Sequence, residues 1–316
     1  MINNLVNTLV SMLIFPGFLF LSILALAAEY ADRKIYARLQ NRVGPPYFQP
    51  LADLIKLVAK AEVIPEDANP QMFKLAPLFA LTAAVTSIFY IPLWRPGALY
   101  SFTGDAIVVL YLLTIPTLCF FIGGWYSSSL FARIGSVRAV TALFSYEVPL
   151  FIGVLSSAML ADTWSLSGMA VFYEDHPWFW LFNLIGFGVA LTALLGKLEK
   201  GPFDIPEAET EIVAGGFTEY SGRFLAILRL TIDIEMVVGA SLLAAVFLPF
   251  GLTFNPVIGF IIYICKVLFV VACISLMRTI VARLRIDQMI EFCWKYLVPL
   301  GILQLLINLL LKGVIF

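Results

Sequence analysis

Residues 256–277 read PVIGFIIYICKVLFVVACISLM, an apolar run in which Lys266 is the only charge. A transmembrane helix needs roughly 20 consecutive apolar residues to cross about 30 Å of hydrocarbon. The run therefore predicts a helix that crosses a bilayer. Runs of similar length recur along the chain and give eight predicted spans, at residues 5–28, 73–93, 106–125, 140–161, 178–195, 224–250, 256–277 and 293–311.

The composition also indicates a membrane protein. Hydrophobic residues make up 61% of the chain and charged residues 13%, whereas about a quarter of residues are charged in a typical soluble domain. The first run lacks the basic leader and cleavage site of a signal peptide, so we expect it to be retained. We predict an all-α integral membrane protein, one transmembrane domain over residues 1–316 with about eight helices and a polar cytoplasmic face. The sequence has no basic face with interleaved aromatic residues, so it does not indicate nucleic-acid binding.

Lysine and arginine residues are concentrated in alternate loops. The loops after the first, third, fifth and seventh predicted spans carry nearly all of them, whereas the opposite side has only Arg95 and Lys312. Loops rich in Lys and Arg stay on the cytoplasmic side of a membrane. We therefore predict a multi-pass protein of the cell membrane whose long loops are cytoplasmic and whose termini both lie outside.

Residues that commonly bind transition metals are scarce. The four cysteines lie in or beside apolar runs without a C-x-x-C pair, and His176 is the only histidine. Zinc and iron–sulfur sites need several such ligands at characteristic spacings. We therefore predict that this chain has no catalytic residue and binds no metal or other cofactor itself.

Several ionisable residues fall inside predicted spans. Glu147 lies in the fourth span, Asp233 and Glu235 lie in the sixth, and Lys266 lies in the seventh. A charge at the bilayer centre costs about 2.5–3.5 kcal/mol on insertion scales, so such residues usually face a protein interior or a water-filled path. Two interpretations remain open: ion pairs that only specify packing, or a relay that carries protons or other ions.

The fifth loop is the most acidic part of the chain. Between residues 200 and 222, five carboxylates alternate with aromatic residues, prolines and glycines: Asp204, Glu207, Glu209, Glu211 and Glu219. A solvated acidic loop is the ordinary interpretation, but this mixture favours an ordered polar lining. In the first loop, residues 53–60 place apolar residues between charges at helical spacing, which predicts an amphipathic helix on the membrane face.

These motifs resemble the H subunit of respiratory complex I and its relatives in energy-converting membrane-bound hydrogenases. The resemblance runs essentially end to end. Its most specific pieces are 32–34 (DRK), 40–45 (QNRVGP), 49–57 (QPLADLIKL), 135–139 (GSVRA), 145–147 (SYE), 202–209 (PFDIPEAE), 219–222 (EYSG) and 283–288 (RLRIDQ). It implies eight transmembrane helices and a cytoplasmic face that docks a peripheral arm carrying iron–sulfur clusters.

The sequence departs from the family's pattern at three places: in the length of the first loop, at Lys197 and at Ala282. Only Pro46, Tyr47 and Phe48 separate the Gly-Pro and Gln-Pro motifs of the first loop, whereas quinone-reducing members have a longer insert. Lys197 stands where the family usually has a glutamate, with Glu199 the nearest acid, and Ala282 replaces a usual proline. The short loop is similar to the hydrogenase branch.

The resemblance implies a non-catalytic subunit of an oxidoreductase complex. We expect it to dock the arm of a ferredoxin-driven, hydrogen-evolving [NiFe] hydrogenase and to couple electron transfer to proton or sodium translocation. The expected partners are hydrogenase-like large and small subunits, a ferredoxin-like iron–sulfur subunit, and antiporter-like and small membrane subunits in the bilayer. The iron–sulfur clusters and the nickel–iron site would lie in the partner subunits.

The resemblance also divides the charged residues into two roles. The expected ion relay consists of Glu147, Asp204, Glu207, Glu209, Glu211, Glu219, Asp233, Glu235 and Lys266. The residues expected to dock partners or fix loops are Asp32, Arg33, Arg38, Arg42, Asp53, Lys56, Arg138, Arg283, Arg285 and Asp287. Arginine suits the second role because its planar fork binds carboxylates bidentately and stays charged.

Two further functions remain open on the sequence. The chain could be the same subunit in a quinone-reducing or sulfur-reducing relative. It could also be a stand-alone secondary transporter, although such transporters commonly show internal repeats and none is evident in this sequence. Two C-x-x-C pairs in a neighbouring large subunit would indicate a nickel–iron site.

Overall fold

The computed structural model describes residue 8 and residues 10–315, with the side chains of residues 209, 210, 314 and 315 left out. Over this part of the chain the regular structure is helical and no strand occurs. The principal helices are α1 (Phe18–Leu39), α2 (Gln49–Ala59), α3 (Pro70–Ser87), α4 (Asp105–Trp125), α5 (Leu130–Ala161), α6 (Leu166–Asp175), α7 (Leu184–Lys197), α8 (Gly222–Phe247), α9 (Pro256–Ile280), α10 (Ile286–Phe292) and α11 (Val298–Ile315).

Within the described residues, seven helical stretches are long and apolar enough to cross a membrane. They are Val10–Leu39, Pro70–Tyr90, Asp105–Trp125, Leu130–Ala161, Gly222–Phe247, Pro256–Ile280 and Ile286–Gly313. The last of these joins α10 to α11 through a π-helical turn, Cys293–Leu297. The shorter apolar helix α7 brings the number to eight. The prediction of an all-α integral membrane protein with about eight helices is thus confirmed.

Several helices extend beyond the predicted spans. Helix α1 continues to Leu39 instead of ending near residue 28, and α5 begins at Leu130, ten residues before the predicted fourth span. Both extensions carry charges that sequence reasoning had placed in loops. Several of these charges form ion pairs with other segments, so each helix continues past its apolar run. They are Glu29, Asp32, Arg33 and Arg138. Residues 5–7 and 9 of the first predicted span lie outside the described residues.

The fifth predicted span is not a continuous helix. A single turn, Phe179–Phe182, ends at Asn183, and α7 follows with 14 residues. At 1.5 Å per residue α7 is about 21 Å long, less than the hydrocarbon thickness. The Asn183 amide groups bond with Gln304, Asn308 and Tyr173, so the polar groups at this break are satisfied inside the bundle.

Short loops and caps fix where the helices begin. The Asn69 side chain accepts hydrogen bonds from the backbone of Gln71 and Met72, and Pro70 occupies the first turn of α3. This combination satisfies N–H groups that a helix start leaves unpaired. The predicted amphipathic helix of the first loop is present as α2, which exposes Leu51, Ile55 and Val58.

Helix α8 is the central helix of the bundle. Almost every residue from Ile234 to Phe247 is buried, as expected of a helix that is apolar on all sides. It packs against α1, α3, α7 and α9. Small residues also allow α5 and α7 to approach each other closely. A Cβ added to Gly153 of α5 would lie only 3.1 Å from the Cβ of Ala190 in α7.

Candidate functional site

A polar cavity of about 800 Å³ opens at one end of the bundle. We call it the vestibule. Its walls come from the C-terminal half of α1, from α2, from the loop that follows α7, from the N-terminal half of α8 and from the end of α9. The charged residues that line it are Glu29, Arg33, Arg42, Asp53, Lys56, Glu199, Lys200, Asp204, Glu207, Arg229, Asp233 and Arg278.

Lys200 ties the loop after α7 to the floor of the vestibule. Its Nζ donates to Glu29 Oε2 at 2.8 Å and to Asp32 Oδ2 at 2.7 Å, both on α1. Burial alone would lower the pKa of Lys200, but the two carboxylates outweigh it and raise that pKa. Because this cation stays charged, the loop is held to α1 by a persistent ion pair.

Asp32 is the most buried acid of this cluster. Its side chain has 0% exposure, and it also accepts from Ser275 Oγ at 2.7 Å and from Arg278 Nη1 at 2.5 Å. The Arg278 guanidinium stacks over Tyr36, 4.6 Å from the ring centroid. Asp32 therefore joins α1 to α9 as well as to the loop, and it has no surface left for a docked partner.

Arg33 joins α1 to the amphipathic helix α2. Its Nε donates to Glu29 Oε1 at 2.6 Å, and its Nη1 donates to Asp53 Oδ2 at 3.0 Å. Gln49 donates to the other Asp53 oxygen at 2.8 Å. The predicted role of Arg33 and Asp53 in fixing the first loop agrees with these bonds, which attach α2 to α1 at the wall of the vestibule.

A second pair of charges lies deeper, between α7 and α8. Lys197 Nζ is 2.9 Å from Glu235 Oε1, and each side chain is only 1% exposed. Lys197 also donates to the carbonyl of Leu113 on α4. Glu147 of α5 is half-buried and within electrostatic reach of Lys197. Lys197 thus neutralises Glu235, one of the predicted relay acids.

Glu199 lies between the deep pair and the vestibule. It is 8% exposed, lines the vestibule wall, and interacts electrostatically with Glu207, Glu235 and Lys197. Burial, followed by the charges of Glu207 and Glu235, raises the pKa of Glu199 to about 8. With this pKa the carboxyl group is mostly protonated at neutral pH, whereas an ordinary glutamate is ionised.

Ion pairs hold the acidic loop against the helix ends. Arg229 Nη1 of α8 donates to Glu207 Oε1 at 2.9 Å, and Arg283 Nε is 2.9 Å from Asp204 Oδ1. Arg138 Nη1 of α5 donates to Glu211 Oε2 at 2.5 Å, and this hydrogen bond holds the pKa of Glu211 below its ordinary value. The prediction of an ordered polar lining agrees with this arrangement.

The structure brings most of the predicted site residues together and separates a few. Lys266 lies on the far side of the bundle, away from the carboxylates, so the fold does not join it to the predicted relay. Arg38, Arg285 and Asp287 are exposed at the surface. Within the described part of the chain, no hydrogen bond or ion pair of Glu219 occurs. The Glu209 side chain lies outside the described residues.

Although Lys197 and Glu199 were noted as departures from the family's pattern, several residues of this site were not among the predicted site residues. They are Glu29, Lys197, Glu199, Lys200, Arg229 and Arg278. The first four lie at a predicted span end or in the fifth loop, where their charge alone could have identified them. Arg278 could be found only from the fold, because its partner Asp32 is far away in the chain.

Carboxylates line the vestibule, and Glu199 lies between it and the buried Lys197–Glu235 pair. Carboxyl groups can take up and release protons, and their action as an ion relay remains a prediction. Among the described residues, no group of three or more His, Cys, Asp and Glu side chains is arranged to hold a metal ion. Partner-borne cofactors remain a prediction.

Comparison with known proteins identifies similar chains over nearly the whole length. A family model described as NADH dehydrogenase matches residues 11–309. The H subunit of the NADH-quinone oxidoreductase of Carboxydothermus hydrogenoformans is 33% identical over 303 residues, covering 92% of this chain and 85% of that protein. The corresponding H subunit of Syntrophotalea carbinolica is 34% identical over 324 residues and covers 97% of each chain.

A solved structure shares the fold. It belongs to a membrane-bound sulfane sulfur reductase, an archaeal respiratory membrane complex, and superposes with a TM-score of 0.81 at 23% identity. The match covers 92% of this chain and 96% of that one. At this identity the likeness concerns the fold and not the substrate.

Proposed function

Because this chain belongs to the NADH dehydrogenase family of complex I-type H subunits, we propose that it couples electron transfer in a docked arm to ion translocation in the membrane. It is a membrane subunit of a complex I-like oxidoreductase with several subunits. The observation that carries the proposal is the row of ionisable groups from the vestibule through Glu199 to the Lys197–Glu235 pair.

The proposed sequence of events begins at the face that carries the vestibule. Electron transfer in the arm changes the charge or position of the loop at residues 198–221. That loop is attached through Lys200, Arg229 and Arg283, so a small displacement alters the surroundings of Glu199. Glu199 then takes up or releases a proton. Asp233, Glu235 and Glu147 transmit this change in charge to neighbouring membrane subunits. Such a relay needs titratable groups shielded from bulk water.

The arm that we propose is that of a ferredoxin-driven, hydrogen-evolving hydrogenase, with the iron–sulfur clusters and nickel–iron site in partner subunits. The three-residue spacing between Pro45 and Gln49 supports a branch without a quinone. A sulfur-reducing or quinone-reducing arm is the alternative, and two C-x-x-C pairs in the partner's large subunit would favour the hydrogenase. We place the vestibule on the cytoplasmic side, since the basic loops surround it.

Replacement of Glu199 in the assembled complex tests the coupling. In inverted membrane vesicles driven by reduced ferredoxin, we expect E199Q to keep electron transfer and to lose most ion movement per electron. We also expect the wild-type coupling ratio to change around pH 8, where Glu199 is half protonated, and the E199Q ratio to stay flat across that range. Protonated Glu199 dominates below this pH and the carboxylate dominates above it.

The matched control is E66Q, which alters an exposed acid on the same face of the protein. It should leave both the coupling ratio and its pH dependence unchanged. An E199Q complex that behaves like E66Q would contradict the proposal. Transport by the purified chain alone, without redox partners, would instead support a stand-alone transporter.

A further inference from the structure

An apolar groove lies on the membrane-facing side of the bundle, remote from the vestibule. It has a volume of about 600 Å³ and runs between α7 and α9 beneath the end of α8. Its walls are aromatic and aliphatic, and they include Trp180, Phe187, Phe250 and Phe269. Of the described residues that form these walls, only Lys266 is charged.

Lys266 has no counter-ion within the described part of the chain. Its side chain is 7% exposed, and its Nζ lies 4.6 Å from the centroid of the Phe250 ring. The closest acid acting on it is Glu174, but Glu174 Oε1 already accepts from the backbone of Leu252 and from the backbone and hydroxyl of Thr253. Lys197 and Lys200, by contrast, each contact a carboxylate directly.

An unpaired ammonium among apolar walls is costly. A charged side chain within a transmembrane helix is unfavourable unless it pairs with another group or faces water. The cation–π contact with Phe250 offsets only part of this cost. The groove therefore favours an occupant that brings a negative charge to Lys266 and an apolar chain to the surrounding walls.

The position of Lys266 along α9 indicates which kind of occupant fits. Lys266 is ten residues from the start of the helix at Pro256, or about 15 Å, and helical side chains lean towards the N-terminus. Its ammonium is thus directed towards the loop at residues 248–255, the membrane-surface end, where Phe250 contacts it. The apolar wall continues inwards to Phe269.

The outer face of α9 is exposed along the same line. Ile261 is 56% and Phe269 is 52% exposed, and Val257, one turn before Ile261, is 73% exposed. These residues share one side of the helix with Cys265, because they recur every four residues. The wall of the groove is thus continuous with a surface that faces acyl chains.

We propose that this groove binds one anionic phospholipid, with its phosphate on Lys266 Nζ and an acyl chain along Ile261, Cys265 and Phe269. The positive charge selects an anionic lipid over a zwitterionic one, and the apolar walls exclude a free phosphate ion. The lipid belongs to the leaflet opposite the vestibule. This site is independent of the proposed coupling function, since none of its residues lines the vestibule.

Cys265 provides a built-in reporter, because it is exposed and lines the groove. The purified complex is reconstituted in phosphatidylcholine vesicles with or without a minor fraction of phosphatidylglycerol. Modification by a membrane-permeant maleimide is followed by mass spectrometry of the Cys265 peptide. We expect phosphatidylglycerol to slow this modification several-fold.

Variants at Lys266 test whether lipid binding depends on the positive charge of this side chain or only on its size. K266M should abolish protection of Cys265 by phosphatidylglycerol, whereas K266R should retain it. K295M, which removes a cation on another helix, should leave the protection intact. Equal modification rates in the two vesicle types would overturn the proposal, as would protection that persists in K266M. A Cys265 that stays unreactive in both vesicles because a partner subunit covers it would also overturn the proposal.

Discussion

At the scale of single residues, the interior charges fall into two kinds. Lys197, Lys200 and Arg278 each lie against a carboxylate, whereas Lys266 contacts an aromatic ring and has no ion pair among the described residues. From the resemblance to the family we expect a glutamate at the position of Lys197. The exchange converts what would be two neighbouring acids into a neutral pair with Glu235. Glu199, two residues later, is a buried acid of the vestibule wall that forms no ion pair within the described residues, unlike Glu29 and Asp32, which pair with Lys200.

The Lys197–Glu235 pair should show strong coupling in stability measurements. Breaking a buried ion pair costs about 3–5 kcal/mol, because an uncompensated charge remains in the interior. We expect K197M alone to destabilise the complex by about that amount, and K197M/E235Q to recover most of the loss. The measurement is the midpoint of unfolding of the purified complex in increasing denaturing detergent.

The control for that pair is K295M, whose lysine pairs with Glu291 on an exposed surface. Exposed ion pairs contribute about 0–1 kcal/mol, so this variant should shift the midpoint little. Additive losses in K197M/E235Q would mean that the two side chains do not stabilise each other.

At the scale of elements, the acidic loop is positioned by a close contact with α5. A short turn, Gly215–Phe217, lies against α5, and a Cβ added to Gly135 would come within 2.5 Å of the Cα of Gly215. Gly215 itself has φ +52° and faces the carbonyl of Pro206. Only residues without a side chain allow this approach, so the loop that carries Asp204 and Glu207 depends on a backbone contact.

Alanine at Gly135 should displace that turn. Overpacking of a close contact costs about 1–3 kcal/mol, so we expect G135A to lower thermal stability and to increase proteolysis of residues 198–221. G188A in α7 is the matched control, since nothing lies within 4 Å of its added methyl group. It should be neutral or slightly stabilising, because alanine favours helix over glycine by about 1 kcal/mol. Equal behaviour of the two variants would show that the turn does not rest on Gly135.

Helices whose ends are set by hydrophobic length could be predicted from the sequence, whereas helices whose ends depend on charge pairing could not. Helices α8 and α9 agree with the predicted spans within three residues at each end, because hydrophobic length alone determines them. Helices α1 and α5 do not, since their charged ends are stabilised by partners on other helices. Hydropathy treats a paired charge and a solvated charge alike.

At the scale of the whole molecule, the charges divide the bundle into two ends. The vestibule, the acidic loop and the basic loops share one end, and the groove of Lys266 lies on the membrane-facing side near the other. The sidedness of these ends in the membrane is a prediction from the distribution of Lys and Arg. Labelling of cysteines introduced at exposed positions tests this sidedness.

Single cysteines at exposed positions report that sidedness. We expect E66C to react with a membrane-impermeant maleimide only after cells are permeabilised, because the basic loops are retained in the cytoplasm. R95C, in the loop between α3 and α4, should react in intact cells. The unsubstituted chain is the control for its natural cysteines. The reverse labelling pattern would refute the proposed orientation.

The sequence by itself determined that this protein is a helical membrane protein with about eight helices and charges concentrated in certain loops, because burial in lipid requires long apolar runs that are visible in one dimension. It also contained the motifs of the family. Only the tertiary structure decided which charges meet. Asp32 joins Lys200 and Arg278 from distant parts of the chain, Glu235 is neutralised by Lys197, and Lys266 lies apart at the groove. Electrostatic interactions depend on distance and burial, and those are properties of the folded chain.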